Sequence, residues 1–417
     1  MSGGNPYRVE AIRPSPHPLA DDDVWTPVGY WPAPDPTSPY FCHGPTLVSF
    51  SGGRTSAYML HQVLCAHGGI LPGYVIVAFA NTGRELEETL RFVHECSVRW
   101  GVYIHWVEWR PPASKRAKIE YPEHLRASRK LDKEERAQRA AERKRIRDIT
   151  EAGSRFEHVS FNSADREGRW FAELIRRKRY LPNQDMRYCT EKLKVDTMKW
   201  LMVSLGYATW FNMVGLRADE RHRVLKQILR NESGLERFIS GCPMALAGIT
   251  KLVIWRFWLG RNIDPKRLSH PLPQSFDLGL WPWEGNCDLC FLKGRGNKAA
   301  MIRARPLVAL WWAAQEAIAT KLTEVRSRYA KRFDKRESID ALVRAVETSP
   351  EIDFTEEDER DAECGVSCIA NDTDEPIDEE AWRWMLGQLE KARMTPISMP
   401  MAPAKSGDIR DLFGEAA

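Results

Sequence analysis

Apolar positions along this chain follow two rhythms. Short runs rich in β-branched and aromatic residues occur at 46–50, 74–79, 102–106 and 210–216, and they read as strands. Between them the apolar positions recur at helical spacing. Residues 57–67 carry Tyr58, Met59, Leu60, Val63 and Leu64 on one stripe. Further helices are expected over 87–100, 165–179, 192–205 and 250–258, and then over 298–319 and 323–348. The order strand, helix, strand, helix, strand over 46–110 predicts an α/β fold. The alternation breaks at 111–156 and resumes at 156–161. Within the break, 131–149 combines strong helix formers with few apolar residues, which predicts an exposed helical insertion.

The first strand runs directly into Ser51-Gly52-Gly53-Arg54-Thr55-Ser56, and the first helix follows. Glycines let backbone N–H groups turn toward a ligand, and a helix start adds partial positive charge. Such a turn suits phosphate or sulfate. Arg54 is placed to add charge, and Ser51, Thr55 and Ser56 to donate hydrogen bonds. The loop lacks the lysine-ended spacing of a Walker A motif.

This segment resembles the PP-loop of ATP pyrophosphatases and of the phosphoadenosine-phosphosulfate (PAPS) reductase family. Other segments resemble that family in the same order. The second strand leads into Asn81-Thr82-Gly83-Arg84-Glu85, with Thr89 completing a T-G-x-x-x-x-E-T-like stretch. Arg187-Tyr188-Cys189-Thr190 and Leu193-Lys194 match an R-x-C-T-x-x-L-K block. Gly215-Leu216-Arg217-Ala218-Asp219-Glu220-Arg221 is similar to G-x-R-x-D-E. The resemblance spans roughly 47–296. It implies a Rossmann-like parallel sheet with helices on both faces, and an adenine nucleotide, ATP or PAPS, as ligand. The nucleotide-site residues implied are Ser51 to Ser56, Asn81, Thr82, Gly83, Glu85, Arg187, Lys194 and Arg217. Many ATP-cleaving relatives carry Asp where this chain has Thr55. That departure favours the PAPS reductase-like branch. Asp219 and Glu220 then stand either as catalytic carboxylates for Mg²⁺ or as ion-pair partners of Arg217, Arg221 and Arg223.

Composition sets outer limits. The 417 residues, 43% of them hydrophobic, suffice for one large α/β domain with additions. The expected organisation is a proline-rich arm at 1–45, a nucleotide domain at 46–300, helices at 301–348 and an acidic, partly disordered tail at 349–417. No run of about eighteen apolar residues predicts a membrane helix, and the N-terminus has no apolar signal core. Nine cysteines without such a signal indicate reduced thiols and a cytoplasmic setting. Charge is uneven: between 115 and 148 thirteen Lys and Arg stand against seven Asp and Glu. The insertion is therefore either a basic arm for DNA or RNA phosphates, through 115–147, or a solvated helix held by pairs such as Glu135–Arg139.

Cys287-Asp288-Leu289-Cys290 lies between Gly285 and Gly294. A lone C-x-x-C suits zinc, an iron–sulfur centre or a redox dithiol. Its place in a loop, away from a strand-to-helix junction, favours metal ligation. Some relatives by resemblance carry a [4Fe–4S] cluster, and this implies Cys189, Cys287 and Cys290 as ligands, with Cys242 as the fourth. Structural zinc and a metal-free loop stay open. Cys42, Cys65 and Cys96 lie in apolar or helical contexts and read as packed thiols. Glu363-Cys364-Gly365 resembles part of the tail that holds the PAPS reductase nucleophile, which implies Cys364 as nucleophile with Cys368 to resolve it.

Three functions follow. One is sulfur transfer or adenylation on a nucleic acid, served by a sulfur donor. The second is reduction of a sulfonucleotide. The third is a non-catalytic nucleic-acid-binding protein that retains the nucleotide fold.

Overall fold

The structure, a computed structural model, describes residues 31–112, 119, 121–126, 132–259, 277–281, 284–285, 287–321, 331–349 and 376–398. Its centre is a six-stranded sheet in the order β4-β3-β2-β1-β5-β6. The strands are β1 (Thr46–Ser49), β2 (Val75–Asn81), β3 (Ile104–Trp109), β4 (Phe156–Val159), β5 (Trp210–Met213) and β6 (Phe238–Gly241). All neighbours pair in parallel except β4, which runs antiparallel to β3 with Trp109 opposite Phe156. This is the α/β, Rossmann-like class that the alternation predicts.

The strands read as nearly continuous apolar runs because both sheet faces are covered. Val48, Phe50, Val77, Phe79 and Met213 face one core. It holds α1 (Arg54–Ala66), α2 (Glu87–Trp100), α5 (Arg169–Lys178) and α9 (Lys251–Leu259). Leu47, Ala78, Ala80, Val107 and Trp210 face the other, under α6 (Thr197–Ser204). A π-helical turn, Thr190–Asp196, runs straight into α6.

The insertion contains α3 (Glu123–Arg126) and the 21-residue α4 (Lys133–Gly153). It leaves and rejoins the sheet at the C-terminal end of β3, because β4 returns antiparallel beside that strand. Asp132 and Glu135 form a capping box at the start of α4. The helix lies along α6. Arg139 and Arg143 both donate to the Leu125 carbonyl, which ties α3 to α4.

Three elements between β5 and α9 escape the sequence pattern: α7 (Arg221–Glu232), β6 and the short α8 (Pro243–Leu246). The expected helix over 298–319 is two, α10 (Arg295–Ala304) and α11 (Val308–Lys321). Pro306 lies in the break, where its ring and missing N–H stop a helix. The expected helix over 323–348 is seen only as α12 (Ile339–Thr348), capped by Ser338; 322–330 lie outside the described residues. Glu316 accepts the N–H groups of Phe333 and Ile339, and the buried pair Lys298–Asp334 (2.5 Å) pins the loop before α12. A last helix, α13 (Glu379–Arg393), places Trp382, Met385 and Leu389 on the core formed by Val224, Ile228 and Cys242. No helix among the described residues is long and apolar enough to cross a membrane.

Candidate nucleotide site and cysteine loop

In this strand order the chain goes from β1 to one side through β2 and β3, and to the other side through β5. The crevice between the carboxyl ends of β1 and β5 is the topological switch point, where open α/β sheets bind ligands. Ser51 to Ser56 leaves β1 there, and Val214 to Glu220 leaves β5. The Ser56 Oγ accepts from the Ser51 N–H (3.1 Å), lies 2.9 Å from the Ser51 Oγ and reaches the Gly53 carbonyl at 3.0 Å. These short-range bonds fold the loop back on the first turn of α1.

Gly52 has φ +80°, and a Cβ there would lie 2.8 Å from Thr89 Cγ2 and 3.0 Å from Val93 Cγ2. Only glycine fits both the backbone and the space. Thr89 thus belongs to the floor of the loop. A Cβ added at Gly215 would lie 3.6 Å from the Ser56 Cα, so the β5 loop runs close beside the first turn of α1. The Arg217 guanidinium donates to Thr55 Oγ1 at 3.5 Å. A buried cation therefore stands beside the loop.

Asp219 and Glu220 hold that cation. Asp219 Oδ1 accepts from Arg217 Nε (2.9 Å) and Oδ2 from the Lys251 N–H (2.9 Å). Glu220 accepts from the Arg217 N–H (3.0 Å) and from Arg223. Each of the four carboxylate oxygens thus meets a protein donor, which is the ion-pair arrangement weighed against Mg²⁺ binding from the sequence. Arg54 also has another task than the one expected. It forms a two-pronged ion pair with Asp277 (2.8 and 2.6 Å), donates to the Leu280 carbonyl (2.9 Å) and lies over the Trp255 ring. The indole N–H of Trp258 donates to the Arg54 carbonyl (3.0 Å). Arg54 anchors the loop to 277–280. The partner, Asp277, carries no sequence signal, since a distant single Asp could pair with any of many arginines.

The segment after β2 forms a second cluster. Glu85 accepts from the Thr82 N–H and the Thr82 hydroxyl, each at 2.9 Å, and Lys194 of the π-helical turn lies 3.7 Å away. Gly83, at φ +79°, would place a Cβ 2.6 Å from Asp165 Oδ2. Asn81 donates to Glu108 (2.7 Å) and to the Asp165 carbonyl (2.9 Å), so it braces the loop from beneath. Arg187 is half-buried and donates to the Gln184 carbonyl (2.8 Å).

The C-x-x-C loop reaches this cluster. Cys287 pairs with Glu85 as an isolated bridge, and its Sγ lies 3.4 Å from Thr82 Oγ1 and 4.0 Å from Glu85 Oε1. Burial pushes the Cys287 thiol up, and the Glu85 carboxylate pushes it further. Asp288 is locked by Arg84 and by the Trp312 indole (2.7 Å). Lys293 is buried with its ammonium on the carbonyls of Glu284 (3.1 Å) and Asp288 (2.9 Å), and burial lowers its pKa to about 8. Nothing in the C-x-x-C spacing marks this lysine, which follows Cys290 by three residues.

The expected four-cysteine set is not assembled. Cys242 is fully buried at the end of β6, in the core shared with α7 and α13. Burial raises its thiol pKa, with Glu220 adding to the rise. Cys189 and Cys287 border the larger core instead. Among the described residues no three Cys, His, Asp or Glu side chains converge as metal ligands. A [4Fe–4S] cluster is thus not shown by the described cysteines. Cys364 and Cys368 lie outside the described residues.

The phosphoadenosine phosphosulfate reductase domain is the family whose model matches residues 45–271 of the chain, more than half of it. The protein belongs to this family, whose members are in general nucleotide-binding enzymes. Comparison with curated proteins and with solved structures finds no match.

Proposed function

We propose that this protein is an enzyme that binds an adenine nucleotide at the β1–β5 switch point and transfers a group from it to a nucleic acid, by adenylation or sulfur transfer. The observation that supports this most is the convergence of the Gly52 turn, the start of α1 and the buried Arg217 at one crevice. The loop amides and Arg217 are set to stabilise charge on a leaving pyrophosphate. Residues 115–147 supply the acceptor surface. On α4, Arg136, Lys144 and Arg147 are exposed and recur at offsets 8 and 11, which puts them on one face. Phosphate contacts from such a stripe are sequence-independent and weaken with salt. The cysteine arrangement supports no step through a cluster.

The test is to incubate the full chain with ATP, with and without single- or double-stranded DNA and RNA, and to assay AMP and pyrophosphate. Release that depends on nucleic acid, and that falls when Arg136, Lys144 and Arg147 are changed to Gln, supports the assignment. Release of sulfite from PAPS with a dithiol, and no ATP cleavage, replaces it by sulfonucleotide reduction. Nucleotide binding without turnover of either leaves the non-catalytic nucleic-acid-binding reading.

A further inference from the structure

The seven residues Thr190–Asp196, which include Lys194, are π-helical rather than α-helical. Their backbone rings close over five residues instead of four, a rare geometry that gathers at functional sites. One side chain matches that register. Helical threonines elsewhere in this chain, Thr150, Thr320 and Thr348, donate their hydroxyls to the carbonyl four residues back, at 2.8, 2.8 and 2.9 Å. That is the usual back-bond of an α-helix. Thr197 donates instead to the carbonyl five residues back, that of Lys192, at 2.9 Å. Thr197 is closed to solvent, at 0% exposure. The ion pairs of this turn are less specific. Lys192 pairs with Asp196 (2.8 Å) and Asp196 with Lys199 (3.6 Å), at spacings of four and three residues that suit an α-helix equally well.

The register decides where Lys194 stands. Helix α6 follows directly and is fixed in the core by Met198, Leu201 and Met202. With that end held, relaxation of 190–196 to α-helical winding would swing Lys194 around and along the helix axis. In the π register the Lys194 ammonium lies 3.7 Å from the Glu85 carboxylate, in the cluster after β2. We propose that Thr197 is a positioning residue: its hydroxyl, by holding the Lys192 carbonyl, keeps 190–196 in the π register and Lys194 at the nucleotide site. Thr197 acts through Lys194 and takes no part in the chemistry. The use of Lys194 rests on the nucleotide reading given above, whereas the register lock rests on the Thr197 bond.

The experiment compares the full chain with Thr197→Val, Thr197→Ser, Lys194→Ala and the Thr197→Val, Lys194→Ala double variant. Titration calorimetry reads ATP affinity, and hydrogen exchange of peptides covering 190–197 reads the register. Thr197→Val keeps the branched shape and removes the hydroxyl. Its exchange over 190–197 is expected to change, and its ATP affinity to fall about tenfold, the scale of one hydrogen bond to a charged group. Thr197→Ser keeps the hydroxyl and is expected to match the wild type in both. The double variant is expected to bind ATP no more weakly than Lys194→Ala alone, because the two residues act as one unit. Losses that multiply in the double variant would overturn the positioning role. So would an ATP affinity left unchanged by either Thr197→Val or Lys194→Ala. Wild-type exchange over 190–197 in Thr197→Val would overturn the register lock. If Thr197→Val does not fold, Thr197→Ala takes its place in the same comparison. A wild type that binds no ATP removes the nucleotide reading, and the exchange pattern alone then decides the lock.

Discussion

The loop after β1 and the loop around the two cysteines each end in a glycine before a helix, Gly53 before α1 and Gly294 before α10. They are built in opposite ways. The first closes through neighbours, since Ser51 and Ser56 are five residues apart and satisfy each other. The second is held by residues about two hundred positions away in sequence: Arg84 and Thr82 lie 204 and 205 positions from Asp288 and Cys287. A loop closed locally leaves its amides to face a ligand. A loop closed by distant partners takes its chemistry from those partners.

That contrast can be broken most severely at the long-range ion pair of the first loop, Arg54–Asp277. Arg54→Leu leaves Asp277 buried without its cation and is expected to cost about 3–5 kcal/mol. Urea unfolding measures this. If Arg54 served bound phosphate instead, stability would hold and only affinity would fall. The buried ammonium of the second loop comes next. The Lys293 pKa is near 8 in the folded chain, below the ordinary 10.5, because burial penalises its charged form. Below pH 8 folded and unfolded chains both keep the proton, and the penalty is complete. As pH rises from about 8 to 10.5 the folded chain releases it first, so stability rises. The gain is on the order of 3 kcal/mol relative to Lys293→Met. Equal pH slopes for wild type and variant in unfolding experiments would contradict this.

A smaller effect is expected at the floor of the first loop. Gly52→Ala forces a Cβ onto Thr89 at a positive φ and is expected to destabilise by about 2 kcal/mol. Thermal unfolding reports that cost, and loss of ATP binding in titration calorimetry reports the damaged turn. Smallest is Ser56→Ala, which removes one local hydrogen-bonded pair worth about 1 kcal/mol. ATP affinity should drop severalfold while the fold persists. An unchanged affinity would mean that the loop keeps its shape through Gly52 alone.

The bounds of α2 were legible to the residue, as were the loop after β1 and the Thr82–Glu85 segment, because each depends on local pattern. The 298–319 stretch reads as one helix because the helix formers around Pro306 outweigh a single breaker in the pattern, and the structure splits it into α10 and α11. β6 and α13 went unread for another reason. β6 is four residues long, and the apolar stripe of α13 sits in an acidic context, so burial becomes apparent only once Trp382, Met385 and Leu389 meet α7. The cysteines follow the same logic: spacing brings Cys287 near Cys290 but says nothing of where Cys242 lies, which is the core shared with α7 and α13.

The sequence by itself determined the α/β alternation, the turn at Gly52 and the family, because backbone turns and hydrophobic periods are written in adjacent residues. Only the tertiary structure decided that Arg54 belongs to Asp277, that Asp219 and Glu220 hold Arg217, and that Cys287 faces Thr82 and Glu85 while Cys242 lies in another core. Those outcomes depend on which distant side chains a buried charge or thiol meets when water is excluded, and chain order does not carry that information.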